Sequence, residues 1–174
     1  MEGGRIHEEH PFATPPELRD PVRQLRGRLA APVTIVTAGE PKERTGLTVS
    51  SLVVAEGEPP LVYFLLAPST DLLDIVERTK RFVVHVCGSE HREVADVFAA
   101  LRPSPGGLFA GRTVTESRYG PVIAGFGSLA LCTLVDMREE SFSTIISGRI
   151  DDVVLDELAD PLLYFRGAYR TLGE

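Results

Sequence analysis

The segment Thr45-Gly46-Leu47-Thr48-Val49-Ser50-Ser51-Leu52 places four hydroxyls and a glycine inside a stretch that otherwise reads as a β-strand. Buried strands fill such positions with β-branched and aromatic residues, so small hydroxylated residues there mark a strand that lines something polar. Thr48 and Ser50 share one strand face. Ser50 and Ser51 alternate, so at most one of them turns its side chain to that lining while the other contributes backbone. Further on, Ser69-Thr70 stands at a helix start, where free N–H groups and the helix dipole suit an anion. The same two residues are equally suited to plain N-capping. Together these features point to one planar, anionic ligand, with Thr48, Val49, Ser50 and Ser51 on the wall and Ser69 and Thr70 at the anionic group. Arg78, with Lys80 and Arg81, would add positive charge, provided that Asp71 turns outward.

The remaining reactive groups carry less. His85 sits in an apolar run, where a histidine is either a hydrogen-bonded core residue or a side chain turned to the ligand. His91 is expected on the exposed side of its helix, and His7 and His10 belong to the N-terminal stretch. No two histidines have metal-ligand spacing and HExxH is absent, so no metal site is expected. There is no GxSxG, no GxGxxG and no Walker lysine. Gly125-Phe126-Gly127 reads as a bend in a long strand. Cys87 and Cys132 lie in apolar runs without CxxC spacing, which fits buried, reduced thiols and a cytoplasmic location.

The chain has 174 residues, enough for one domain with a substantial core or for one subunit of a dimer. Its net charge of −7 argues against non-specific attraction to nucleic acid or membrane surfaces. No window approaches the ~20 apolar residues of a membrane span. Residues 1–16 combine charges and prolines without an apolar core, which is not a signal peptide. They are expected to form a flexible arm ahead of a single domain over 17–174.

The elements that must position the hydroxyls follow from periodicity. Asp20-Pro21 reads as an N-cap with proline at the first helical position, and Val22, Leu25 and Leu29 fall on one helical face. Strands are expected over 33–37, 46–54, 61–66, 82–87, 127–137 and 144–155, the last two paired through a turn at 138–141. The run 61–66 is nearly continuous in apolar residues, as in a strand buried on both faces. Helices are expected over 70–77 and 90–101, the second capped by Ser89, with a loop at 102–107 and a short edge strand at 113–115. The aromatic tail after Pro161 is expected to dock, since so many apolar groups rarely dangle in water. Six strands with few helices predict a mainly β fold: a closed six-stranded β-barrel with flanking α-helices.

The order of these segments resembles a known family. Val33-Thr34-Ile35-Val36-Thr37 is followed by Gly46-x-Thr48-Val49-Ser50-Ser51, Pro59-Pro60-Leu61-Val62, Ser69-Thr70, Phe82-x-Val84-x-Val86, Ala95-x-x-Phe98, Leu131-Cys132, Gly148-Arg149-Ile150 and Pro161-Leu162-Leu163-Tyr164-Phe165-Arg166-Gly167-x-Tyr169. This is similar to the flavin reductase-like family of FMN-binding split-barrel proteins. The resemblance implies a homodimeric split barrel that binds FMN, with FAD possible, and takes NAD(P)H as co-substrate. In such an oxidoreductase the nicotinamide hands hydride to flavin N5, and the reduced flavin serves a partner monooxygenase. It implies that the wall residues hold the ring edge and ribityl chain, that Ser69 and Thr70 hold the phosphate, and that His85 and Ser143 border the nicotinamide as catalytic-side residues. The chain departs from the family at Ser141-Phe142-Ser143, where the family usually carries Gly-Asp-His, and at His85, where it usually has Asn. That departure keeps open a flavin- or haem-binding protein without NAD(P)H turnover, and an oxidoreductase using a deazaflavin.

Overall fold

The computed structural model describes residues 20–173; the arm expected over 1–16 lies outside them. Helix α1, Pro21–Gly27, begins as the sequence dictates: Asp20 Oδ1 accepts the N–H of Val22 at 3.0 Å, and proline occupies the first turn. Its apolar stripe is uncovered. Val22, Leu25 and Leu29 are all exposed, so no other described residue of this chain covers them.

Strands β1 (Ala31–Pro32), β2 (Thr34–Ala38), β3 (Thr45–Val49), β4 (Val53–Ala55) and β5 (Leu61–Leu66) precede helix α2 (Asp71–Thr79). Strand β6 (Arg81–Val86) is followed by a single 3-10 turn at Ser89–His91 and then helix α3 (Arg92–Phe98). The expected helix over 90–101 is thus divided, and begins with that tighter turn. A hairpin of β7 (Val114–Ser117) and β8 (Gly120–Ile123), two long strands β9 (Leu129–Glu140) and β10 (Ser143–Val154), and the tail strands β11 (Leu163–Phe165) and β12 (Ala168–Arg170) complete the chain. Strand β8 was not legible because Gly120 and Pro121 break strand propensity; here Gly120 turns the hairpin with φ of +124°.

The main sheet runs β3-β2-β6-β9-β10-β5-β4, and every pairing is antiparallel. It has seven strands where six were expected, because the segment 46–54 is broken at 50–52 into β3 and β4. These two are the sheet's edges, yet only three residues join them. Laid flat, seven strands at about 4.8 Å spacing would hold the edges about 29 Å apart. The four Cα steps from Val49 to Val53 reach at most ~15 Å. The sheet must therefore curl until its edges approach each other. Register shifts in the β9–β10 ladder, between Ser147 and Gly148 and between Ile150 and Asp152, supply the bends. Gly148 allows the curl to tighten, since a Cβ there would lie 2.4 Å from Phe82 Cζ.

Alternation assigns the inner face. Val36, Val62, Phe64, Leu66, Phe82, Val84, Cys132 and Ile146 point into the curl, where Leu72 and Val76 of α2 join them in one buried cluster. The outer face is covered on the β2, β3 and β6 side, where Ile35 packs with Val94, Ala95 and Phe98 of α3 and with Leu162 of the tail. On the β5 side it is not covered. Strand β5 is therefore buried on one face rather than both: Val62, Phe64 and Leu66 are buried while Leu65 is 47 % exposed. The aromatic tail docks as expected. Strands β1, β11 and β12 form a small sheet, and Leu162 exchanges backbone bonds with Val33 and Cys87, each at 3.0 Å.

Candidate functional site

A single hydroxyl draws the polar segments together. Ser51 Oγ accepts the N–H of Leu65 at 2.9 Å and donates to the Leu65 carbonyl at 3.2 Å. The break between β3 and β4 is thereby fixed to the end of β5, four residues before Ser69. Thr144 pairs across from Leu66 in the β5–β10 ladder, which brings Ser143 and the β9–β10 hairpin to the same end. Ser50, Ser51, Ser69, Thr70 and Ser143 thus share one rim of the curled sheet.

This rim has unused hydrogen-bonding capacity. The Ser50 hydroxyl, half-buried, has no hydrogen-bond partner among the described residues. Thr70 is the N-cap of α2, but its hydroxyl donates back to the Ala67 carbonyl at 3.1 Å and caps no N–H of the helix. The first turn of α2 therefore lacks a side-chain cap, although the Leu73 N–H bonds the Thr70 carbonyl at 3.0 Å and Asp71 and Asp74 lie in that turn. Asp71 is exposed and directed to solvent. Thr144 is 3 % exposed, and its Oγ1 is the one buried side-chain oxygen among the described residues without a partner. Such orphans cost about 1–3 kcal/mol when nothing satisfies them. The sequence did signal this residue: Thr144 alternates in phase with Ile146 and so must face inward.

Other expected site residues lie elsewhere. Thr48 faces outward and donates to the Ala95 carbonyl at 2.6 Å, tying β3 to α3. The Val49 side chain is buried in the inner core, and its carbonyl accepts from Thr34 Oγ1 at 2.8 Å. Arg78 stands at the far end of α2, about 12 Å along the helix from Thr70, in an ion pair with Glu43 at 2.5 Å. It cannot add charge at the α2 start.

His85 is a core residue. It is completely buried, Nδ1 lies 3.1 Å from the Ile35 carbonyl, and Nε2 accepts the N–H of Ile123 at 3.1 Å. Both nitrogens are consumed by backbone, which fixes the neutral tautomer protonated at Nδ1. Burial lowers its pKa to about 4. It does not border a ligand at the rim. His91 is also buried rather than exposed: Nδ1 accepts from Gly88 N–H at 2.9 Å, Nε2 lies 3.0 Å from the Gly125 carbonyl, and the ring stacks on Phe126. Cys87 and Cys132 are buried and unpaired, and burial pushes both thiols up to about 12. Among the described residues no three His, Cys, Asp or Glu side chains group as metal ligands, and no helix is long and apolar enough to cross a membrane.

The model of the flavin reductase like domain matches residues 26–173. The chain belongs to that family. As a flavin reductase-like protein it is 28 % identical, over 89 % of its length and 97 % of the relative's, to the reductase component of 4-hydroxyphenylacetate 3-monooxygenase from Thermus thermophilus. It is 23 % identical to an FMN reductase (NADH) RutF from Variovorax paradoxus, covering 94 % of this chain and 91 % of that one. Among solved structures, nitrilotriacetate monooxygenase component B from Mycobacterium thermoresistibile superposes with a TM-score of 0.78 at 25 % identity, covering 87 % of this chain and 84 % of that one. The flavin reductase PheA2 superposes with a TM-score of 0.80 at 23 % identity, over 90 % of this chain and all of that one, and so attests the fold.

Proposed function

We propose that this chain is an NAD(P)H:flavin oxidoreductase that binds FMN or FAD at the Ser50–Ser69–Ser143 rim and supplies reduced flavin to a partner monooxygenase. The observation that best supports the reading is the Ser51–Leu65 tie, which fixes the segment carrying the unpartnered Ser50 hydroxyl to the end of β5, just ahead in the chain of the uncapped start of α2. These donors fit a flavin nucleotide. The start of α2 with Ser69 and Thr70 suits its phosphate, Ser50 and the backbone of 49–51 suit the ring edge and ribityl chain, and Thr144 offers an oxygen that nothing else satisfies. When bound, the flavin supplies the acceptor for a nicotinamide hydride. The chain's own part is placement and exclusion of water. Among the described residues no histidine stands at the rim, since His85 is consumed in the core and the hairpin carries Ser143.

We further infer a closed split barrel and a homodimer. Closure is supported by the short 50–52 link between the sheet edges. A second copy is supported by the uncovered outer face at Val53 and Leu65 and by the exposed stripe of α1, surface that a lone soluble chain rarely leaves open. The buried, unpaired thiols suit a cytoplasmic setting.

The test is oxidation of NADH and NADPH with and without added FMN or FAD, on protein whose visible spectrum is recorded first. Flavin-dependent oxidation is expected. Protein that binds flavin yet leaves both nicotinamides unoxidised establishes the second reading, a flavin-holding protein without turnover, which Ser141-Phe142-Ser143 favours. Absence of flavin binding overturns both.

A further inference from the structure

A second cleft lies at the opposite pole. Strand β3 runs away from it toward the rim, and α2 runs from the rim back to it. Its volume is about 630 Å³, within the range of small-molecule sites, and it opens between the β2–β3 turn, the end of α2 and the β7–β8 hairpin. Three arginines line it, Arg78, Arg81 and Arg118, together with Glu40, Glu43 and Glu116. Two of the carboxylates are already matched: Glu43 pairs with Arg78 at 2.5 Å and Glu116 with Arg44 at 2.8 Å. Glu40 is exposed.

Arg81 and Arg118 have no carboxylate partner among the described residues. They are nonetheless held in place. Arg81 Nη1 donates to the Arg118 carbonyl at 3.2 Å. The Arg118 guanidinium lies 4.7 Å from the centre of the Tyr119 ring, and its Nη2 donates to the Tyr119 hydroxyl at 2.5 Å. Both arginines are exposed and line the same cleft, where a bound anion would add attraction to each. Each still has N–H donors free, in the planar fork that matches tetrahedral oxyanions. A phosphate monoester carries a charge of about −2 at neutral pH, enough to balance both.

We propose that this cleft is a binding site for a phosphate monoester, distinct from the rim and independent of the flavin reading. Inorganic phosphate and adenosine 5′-monophosphate are the probes, titrated into the full-length protein by calorimetry at constant ionic strength. Saturable binding of one phosphate per chain is expected. Equal affinities identify the phosphate alone as the recognised group, and tighter binding of the monophosphate identifies a nucleoside ester. Arg81→Gln and Arg118→Gln should each weaken binding at least tenfold without changing flavin affinity, and Arg118→Lys should retain part of it. Arg102→Gln, in an exposed ion-paired arginine elsewhere, should change nothing. Lack of saturation overturns the site, as does binding that Arg81→Gln and Arg118→Gln leave unchanged or that Arg102→Gln weakens equally.

Discussion

Ser51 and Leu65 exchange two hydrogen bonds just beyond the β4–β5 ladder, 2.9 Å into the serine oxygen and 3.2 Å out of it. One side chain thus does what a ladder does elsewhere in the sheet. Its neighbour Ser50 makes no such bond, so the two serines differ in what they hold: Ser51 ties the chain, and Ser50 leaves its hydroxyl for the proposed flavin site. Ser51→Ala should lower unfolding free energy by about 1–2 kcal/mol, the scale of a lost bond that leaves backbone groups unpaired. Ser50→Ala should leave stability nearly unchanged. The double variant should bind flavin more weakly by more than ~1 kcal/mol. Urea unfolding and flavin titration on the three variants measure both quantities, and an unaltered titration of the double variant contradicts the site.

Thr144 offers a contrast, because its oxygen is buried with nothing to bond. Thr144→Val keeps the shape and removes the orphan. In the flavin-free protein it should raise stability by about 1 kcal/mol, the cost of an unsatisfied buried hydroxyl. With saturating FMN the gain should shrink or reverse, since the wild-type oxygen then has a partner. Thermal unfolding with and without FMN reads the difference. A gain that FMN does not alter would place the hydroxyl outside the binding site.

How far the sequence disclosed all this depends on what each residue answers to. Apolar runs in β6, β9 and β10 answer to burial, and those strands were legible. The tail was legible for the same reason, through Leu162 and its aromatic neighbours. The break at 50–52 was not, because serines and Leu52 are compatible with a continuing strand; what stops the ladder is the curl of the whole sheet. That Val22, Leu25 and Leu29 share one helical face was legible, but periodicity states only that a stripe is apolar, and not which chain covers it. Thr48 and His85 show the same limit at the site. Each has the side chain for ligand binding, yet backbone carbonyls at Ala95 and Ile35 take them. Arg78 was separated from Ser69 by the length of α2, which spacing in sequence conceals.

The neutral state of His85 makes stability depend on pH. Its pKa is lowered from 6.5 to about 4, first by burial, against a raising contribution from the Ile35 carbonyl. Between those two values the unfolded chain binds a proton that the folded chain excludes, so stability rises with pH there. The contribution is complete above about pH 6.5, declines as pH falls, and is exhausted near pH 4. It amounts to about 3 kcal/mol. Urea midpoints between pH 4 and 8 should show this slope, and His85→Gln should lower the plateau and flatten it. A wild-type profile that is flat across this window would mean that His85 is protonated in the fold.

Ser143 is the residue through which turnover can be separated from binding. It sits on the rim beside Thr144, half-buried and next to the exposed Phe142. In the resemblance of this chain to its family, Ser143 occupies the place of a histidine. An imidazole there would reach the rim as a hydrogen-bond donor, a role that the sequestered His85 cannot take. Ser143→His should therefore raise kcat for NADH oxidation by about tenfold, equivalent to 1.4 kcal/mol from one added hydrogen bond to a charged group. Flavin affinity should change little, because the donors of Ser50 and the α2 start are untouched. Steady-state kinetics with FMN, alongside flavin titration, distinguishes the outcomes. A rise in flavin affinity with kcat unaltered would assign position 143 to binding, and loss of both would show that the hairpin tip has no room for an imidazole.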